Sequence, residues 1–183
     1  MTLIVGFSGF AGVGKDKAGE ALAALGWERK SFADPLKHSC SIATGIPFEV
    51  FNDPDKKNDF EYGVYGHTPR EVLQLMGTEG WRNLIHADVW IDAFLRYAKT
   101  PGLKIPGVYS CDVRFINEAN AILAAGGTLI HIDRPGKEAP EFLHQSELEV
   151  PEVRKLAHYV LHNKSTVEEL HDMVRWAVSG TGV

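Results

Sequence analysis

The chain has 183 residues, a length suited to one domain with a three-layer core, and its 44% hydrophobic and 23% charged content is ordinary for a globular protein. Lys and Arg number 19 against 24 Asp and Glu, a net charge of −5 that argues against a general nucleic-acid coat or a membrane-surface role but not against a small anion in a local basic pocket. Two cysteines, Cys40 and Cys111, make no disulfide framework, no apolar run approaches about eighteen residues and no signal-peptide pattern opens the chain, so the cytoplasm is the expected compartment.

The first apolar run, Leu3-Ile4-Val5-Gly6-Phe7, predicts a buried strand. It leads into Gly9-Phe10-Ala11-Gly12-Val13-Gly14-Lys15-Asp16, a G-x-x-x-x-G-K pattern, and then into a helix-compatible stretch that stops at Gly26. Strand, glycine turn and helix together form the context of a phosphate-binding loop. Glycines let backbone N–H groups turn around phosphate oxygens, the helix N-terminus adds positive potential, and the lysine reaches the transferred phosphate. The alternative is an ordinary glycine-rich turn, and Asp16 stands where Ser or Thr is usual.

Residues 29–33 read as a weak second strand ending at Asp34-Pro35, followed by a helix from Leu36 to about Ala43. Residues 45–67 are irregular and aromatic, which suggests an excursion over a site. Thr68-Pro69-Arg70-Glu71 has the form of a capping box. Trp90, Ile91, Phe94, Leu95 and Ala98 fall at helical spacing. Residues 107–111 predict a strand delivering Asp112, Ile116 to Leu123 a helix, and residues 128–132 a second interior strand. Residues 134–152 read as a polar, lid-like segment. A last strand at Tyr159-Val160-Leu161 and a helix capped near Ser165 or Thr166 close the chain, with Val167, Leu170, Val174 and Ala177/Val178 expected inward. Trp27, Trp90 and Trp176 read as core, whereas Trp81 could border a nucleotide. His158 and His162 share a strand, and no histidine set has metal-ligand spacing.

Strands alternating with helices predict an α/β fold: a three-layer P-loop NTPase with a mainly parallel, roughly five-stranded sheet. Ligands in such sheets sit beyond the C-terminal strand ends. There lie Lys15, Asp34, Asp112 with Arg114, and Arg134, two carboxylates among several cations. That set suits transfer between two anions, in which Lys15, a metal and the arginines Arg70, Arg82, Arg114 and Arg134 offset repulsion. Each arginine also has a plainer reading as a surface or pairing residue. Asp112 resembles the aspartate of a Walker B strand.

Together these segments resemble the bacteriophage-type deoxynucleoside monophosphate kinases, P-loop kinases with an adenylate-kinase-like core. The resemblance rests on Gly14-Lys15-Asp16, Phe32 to Lys37, Thr68 to Glu79, Asp112-Val113-Arg114-Phe115, Ile132-Asp133-Arg134-Pro135-Gly136, His144-Gln145-Ser146-Glu147 and Asn163 to Leu170. Lys-Asp after the last loop glycine belongs to that pattern, with Lys17 where Thr is usual. Residues 45–67 have no counterpart.

The resemblance implies one kinase domain over 1–183 with a lid at 134–152, and the irregular aromatic stretch 45–67 is expected from its own composition to be an acceptor-covering insert. It implies ATP- and Mg²⁺-dependent phosphorylation of deoxynucleoside monophosphates to diphosphates. Lys15, Asp112 and Arg114 would be catalytic. Gly9, Ala11, Gly12, Val13, Gly14, Lys15, Asp16, Lys17 and Arg134 would bind ATP, and Asp34, Lys37, Arg70, Trp81, Arg82 and Arg114 the acceptor. Asp16 and Asp112 would hold the metal directly or through water. Small nucleotides are the expected partners, with no nucleic acid or membrane, a homodimer left open, and host cytoplasm as the location if the chain is phage-encoded. A dephospho-coenzyme A kinase-like enzyme and a non-kinase nucleotide switch are the alternatives.

Overall fold

A computed structural model describes residues 2–137 and 148–180. Five parallel strands form one sheet in the order β2-β3-β1-β4-β5: β1 Leu3–Ser8, β2 Glu28–Arg29, β3 Gly107–Val113, β4 Thr128–Asp133 and β5 Tyr159–His162. The chain leaves β1 toward one side and returns across it after β3. The loop after β1 therefore stands at the topological switch, where such sheets bind ligands.

Alternation along β1 assigns the two faces. Val5 and Phe7 point to a core shared with helix α1 (Lys15–Ala23) and helix α7 (Val167–Ser179), where Ala18, Ala21, Leu22, Leu170 and Val174 are buried. Gly6 and Leu129 face the other way, against Ile122 of helix α5 (Ile116–Ala124). Helix α6 (Val150–Leu156) packs beside α5. Gly19 lets α1 approach β3: a Cβ there would stand 2.6 Å from Tyr109 Cε2 and 2.7 Å from Cys111 Sγ.

The chain divides into two compact units, residues 1–31 with 95–183 and residues 32–94. The first contains the sheet. The second holds helix α2 (Asp34–Thr44), three short 3₁₀ turns between Phe48 and Tyr62, helix α3 (Pro69–Gln74) and a π-helical stretch, Leu75–Arg82. Helix α4 (Val89–Ala98) contains the unit boundary. Leu36, Cys40, Ile46, Val50, Phe51, Val72 and Trp90 form the second unit's core. Residues 45–67 thus contribute buried side chains of their own. The Thr68 capping box is present, with Thr68 N–H donating to Glu71 Oε2 at 2.8 Å and Glu71 N–H to Thr68 Oγ1 at 3.2 Å.

Some local expectations are corrected. β2 is shorter than residues 29–33, because after Lys30 the Ser31 side chain turns to Asp112 and Phe32 is buried against Phe94. β3 runs through Asp112 rather than stopping before it. One extra residue sits in β3 between Ser110 and Val113, since Gly6 pairs Ser110 while Ser8 pairs Val113, and such a bulge re-aims side chains. Trp176 is 66% exposed and meets Tyr159 edge-on, because it lies two residues past buried Val174, on the far side of α7. Val167, in the first turn of α7, is exposed too. Helix α6 begins at Val150, inside the segment expected to be lid-like, and runs on to Leu156. No helix among the described residues is long and apolar enough to cross a membrane.

Candidate phosphate-binding site

Three glycines with positive φ shape the loop after β1: Gly9 at 138°, Gly12 at 75° and Gly14 at 105°. Gly9 is also needed for space, because a Cβ there would stand 2.5 Å from the Ile132 carbonyl. The side chain of Lys15 turns back over the loop and donates to the carbonyls of Gly9 at 2.7 Å and Phe10 at 2.8 Å. Val13 is buried in the core, while Ala11 and Gly12 are exposed. Lys137 reaches over the loop, its Cδ 3.7 Å from where a Gly12 Cβ would be. Asn163 donates from its side-chain amide to the Val13 carbonyl at 2.8 Å.

Asp112 receives hydrogen bonds from the hydroxyls of Ser31 and Ser110, one on each carboxylate oxygen. Arg114 is half-buried at the turn that follows. Buried Glu118 fixes that turn, accepting from the backbone N–H of Arg114 at 3.0 Å and of Phe115 at 3.3 Å. Asp16 pairs with Arg29 at 2.6 Å, and both are exposed. Lys17 runs along the surface to Glu20 at 2.8 Å. Exposed Arg134 lines a cavity of about 400 Å³ beside Phe10, Val13, Asp133, Lys137 and Arg154.

Behind the loop runs a polar chain from β1 to β4. The Ser8 Oγ lies 2.8 Å from His131 Nδ1, and His131 Nε2 lies 3.1 Å from Asp133 Oδ1. Arg154 donates to Asp133 Oδ2 at 2.9 and 3.3 Å. His131 is 1% exposed, and its burial drives the imidazole down to about 4, with Asp133 opposing and Arg154 adding. The ring is therefore neutral at pH 7. Because Asp133 can only accept, Nε2 carries the proton and Nδ1 accepts from Ser8. Burial works to raise the Asp133 carboxyl, but Arg154 and the two neighbouring histidines outweigh it and hold it below its ordinary value. Burial pushes the Cys111 thiol up to about 12 and Cys40 to about 11, so neither is a nucleophile at pH 7.

The second unit holds the other candidates. Lys37 donates to Asn52 Oδ1 at 2.8 Å and stands 3.9 Å from Asp34. Arg70 is exposed and reaches Asn58 Oδ1 at 3.4 Å. Arg82 ends the π-helical stretch, and Trp81 lies 5.6 Å from Trp90, ring centre to ring centre. Arg70 and Lys37 thus each contact an asparagine of residues 45–67.

The structure brings Lys15, Asp16, Asp112, Arg114 and Arg134 to the C-terminal strand ends of the first unit, and Asp34, Lys37, Arg70, Trp81 and Arg82 into the second. Residues 138–147, including the His144–Glu147 match and most of the expected lid, lie outside the described residues. Ser8, Ser31, Ser110, His131 and Asp133 were not singled out. The signal for His131 and Asp133 was present, since alternate residues of a strand share a face. For Ser31 and Ser110 no spacing rule applies. No group of three or more His, Cys, Asp or Glu that could hold a metal occurs among the described residues.

No family model matches the chain. A protein of Acanthamoeba polyphaga mimivirus named "Putative deoxynucleotide monophosphate kinase" is 34% identical over 183 residues, covering 94% of this chain and 94% of that one. The shikimate kinase of Aquifex aeolicus vf5 is similar in structure, with a TM-score of 0.52 at 14% identity and 97% of each chain covered. The dephospho-CoA kinase of Campylobacter jejuni gives 0.51 at 15% identity, covering 98% of this chain and 97% of that one. At such identities these two establish the fold, that of the P-loop kinases, and nothing finer.

Proposed function

The chain belongs to the deoxynucleotide monophosphate kinase family, and on that premise we propose that it transfers the γ-phosphoryl group of ATP to a deoxynucleoside monophosphate, giving the diphosphate and ADP. The observation that supports this most directly is the pairing of a Lys15-bearing glycine loop with the Asp112 carboxylate at the end of the adjacent strand.

On this reading the loop N–H groups cradle the ATP phosphates. Lys15 exchanges the Gly9 and Phe10 carbonyls for phosphate oxygens, trading two neutral partners for a charged one. The donor set at Asp112, one carboxylate flanked by two hydroxyls, fits Mg²⁺, which takes one or two carboxylates and fills its other positions with water and phosphate oxygens. When bound, Mg²⁺ would offset charge on the transferring phosphate. Asp16 would first have to leave Arg29, and at that exposure the pair is worth about 1 kcal/mol or less. Arg114, set by Glu118, would face developing charge at the transfer, and Arg134 and Lys137 would reach the donor phosphates. Lys17, paired with Glu20, is left a minor part in binding ATP.

Lys37, Arg70 and Arg82 of the second unit are the proposed cations for the acceptor phosphate, with Asp34 and Trp81 toward its sugar and base. Asn52 and Asn58 orient Lys37 and Arg70 as neutral acceptors, without cancelling their charge. A phosphate acceptor needs no strong base, because its second pKa is about 6. Offsetting repulsion between two anions is then the main task.

The test incubates the protein with ATP and Mg²⁺, alone and with each of the four deoxynucleoside monophosphates or dephospho-coenzyme A, and separates products by chromatography. The expected result is ADP and a deoxynucleoside diphosphate in equal amounts with at least one acceptor. ADP without any diphosphate would favour a nucleotide switch, and phosphorylation of dephospho-coenzyme A alone would move the acceptor class.

A further inference from the structure

Asn163, in the loop after β5, contacts the phosphate-binding loop through its side chain and is anchored through its backbone. Its N–H donates to the Asp133 carbonyl at 2.8 Å, and Nδ2 donates to the Val13 carbonyl at 2.8 Å. The acceptor is a carbonyl, so the amide nitrogen must face it. The same Nδ2 stands 2.6 Å from the place a Cβ on residue 14 would occupy, and Leu170 Cδ2 backs the same spot at 3.7 Å. No side chain larger than hydrogen fits at position 14.

A trans peptide points its C=O and the following N–H in opposite directions. With the Val13 carbonyl drawn to Asn163, the Gly14 N–H points away from Asn163. Gly14 holds φ 105° directly before the first turn of α1. Glycine also populates other regions readily, so the Val13–Gly14 peptide has little intrinsic reason to keep this orientation. The neighbouring peptide groups have other constraints: Gly9 is wedged against Ile132, and the Gly14 carbonyl already accepts from Ala18 at 2.9 Å. The Val13 carbonyl is held by a side chain from a distant strand end.

We infer that Asn163 is a positioning residue for the phosphate-binding loop, fixing the Val13–Gly14 peptide so that the Gly14 N–H is presented to the phosphates of the donor nucleotide. The inference rests on the reading of this loop as the ATP site. Asn163 acts through Gly14 and does not itself touch phosphate. Its anchor is β4: the Asp133 backbone holds Asn163, and the Asp133 side chain holds His131, which holds Ser8 at the entrance to the loop. One strand end thus mounts both ends of the loop.

The test compares Asn163→Leu, which keeps approximate shape but no donor, with Asn163→Ala and Asn163→Gln, which restores a donor on a longer arm. Calorimetry reads the affinity for ATP and for inorganic tripolyphosphate, and steady-state kinetics read KM for ATP separately from KM for the acceptor. Asn163→Leu and Asn163→Ala should weaken both ligands about tenfold or more and raise KM for ATP by a similar factor, leaving KM for the acceptor within about twofold. Asn163→Gln should recover part of the loss. Should Asn163→Ala fail to fold, Asn163→Leu carries the comparison. Variants that bind ATP within twofold of wild type, or that lose donor and acceptor affinity equally, would overturn the inference while leaving the ATP site in place. A wild-type protein that binds neither ATP nor tripolyphosphate would overturn both.

Discussion

Replacing His131 by Gln should remove most of the stability loss of this fold between about pH 6.5 and 4.5. His131 is buried, its Nε2 donates to Asp133 and its Nδ1 accepts from Ser8, and the folded protein keeps the ring neutral down to about pH 4. In the unfolded chain an ordinary imidazole takes up its proton near 6.5. Between those values the unfolded state binds a proton that the folded state refuses, so stability falls as pH falls from 6.5 to 4 and levels off below. The interval of about 2.5 units at about 1.4 kcal/mol each gives a full loss of about 3.5 kcal/mol. Asp133 has the opposite chemistry and a separate window. Its carboxyl lies below its ordinary value, so its contribution is intact above about 3.8 and is lost only in stronger acid. Urea unfolding at pH 7, 6, 5 and 4.5 on wild type and His131→Gln measures the effect. The wild-type free energy should drop by about 2.5 kcal/mol between pH 7 and 4.5. The variant should be less stable at pH 7, having lost shape and bonding beneath the loop, but nearly flat over the same range. Equal slopes in the two proteins would refute the assignment of this acid sensitivity to His131.

Lys15→Ala should lower turnover by about a thousandfold or more, the scale at which removing a preorganised charge at the reacting phosphate is felt. Lys15 is only half-buried and water can take over the loop carbonyls it donates to, so the thermal midpoint should stay largely in place; retained turnover would remove Lys15 from the mechanism. Gly19→Ala should destabilise the fold by about 1–2 kcal/mol net, because contacts of 2.6 and 2.7 Å with Tyr109 and Cys111 put overpacking at the upper end of its range, about 2–3 kcal/mol, and better helix propensity returns about 1. Thermal denaturation would show it, and an unchanged or raised midpoint would mean that β3 yields more easily than its packing implies.

The sequence by itself determined the layer architecture, because apolar runs and helical spacing are local and repeat along the chain. Leu3–Ser8, Gly9–Lys15 and the helix behind them were legible as one unit. So were the Thr68 capping box and the arrival of Asp112 and Arg134 at strand ends. Each follows from periods and turn chemistry that operate within a few residues. Strand order, by contrast, is a pairing of distant segments, and only the tertiary structure set β1 between β3 and β4. The strand order carries Asn163 to Val13 and His131 to Ser8 on one side of β1, and Ser31 to Asp112 through the β2–β3 pairing on the other, contacts spanning 150, 123 and 81 positions. Side chains that act at such separations leave no mark in local spacing. Trp176 shows the converse: its size suggested core, but its place around α7, two residues from Val174, put it on the surface. The glycine loop was readable as a phosphate-binding turn from its spacing alone. Which groups hold that loop in shape was decided by the strands and loops that pack behind it.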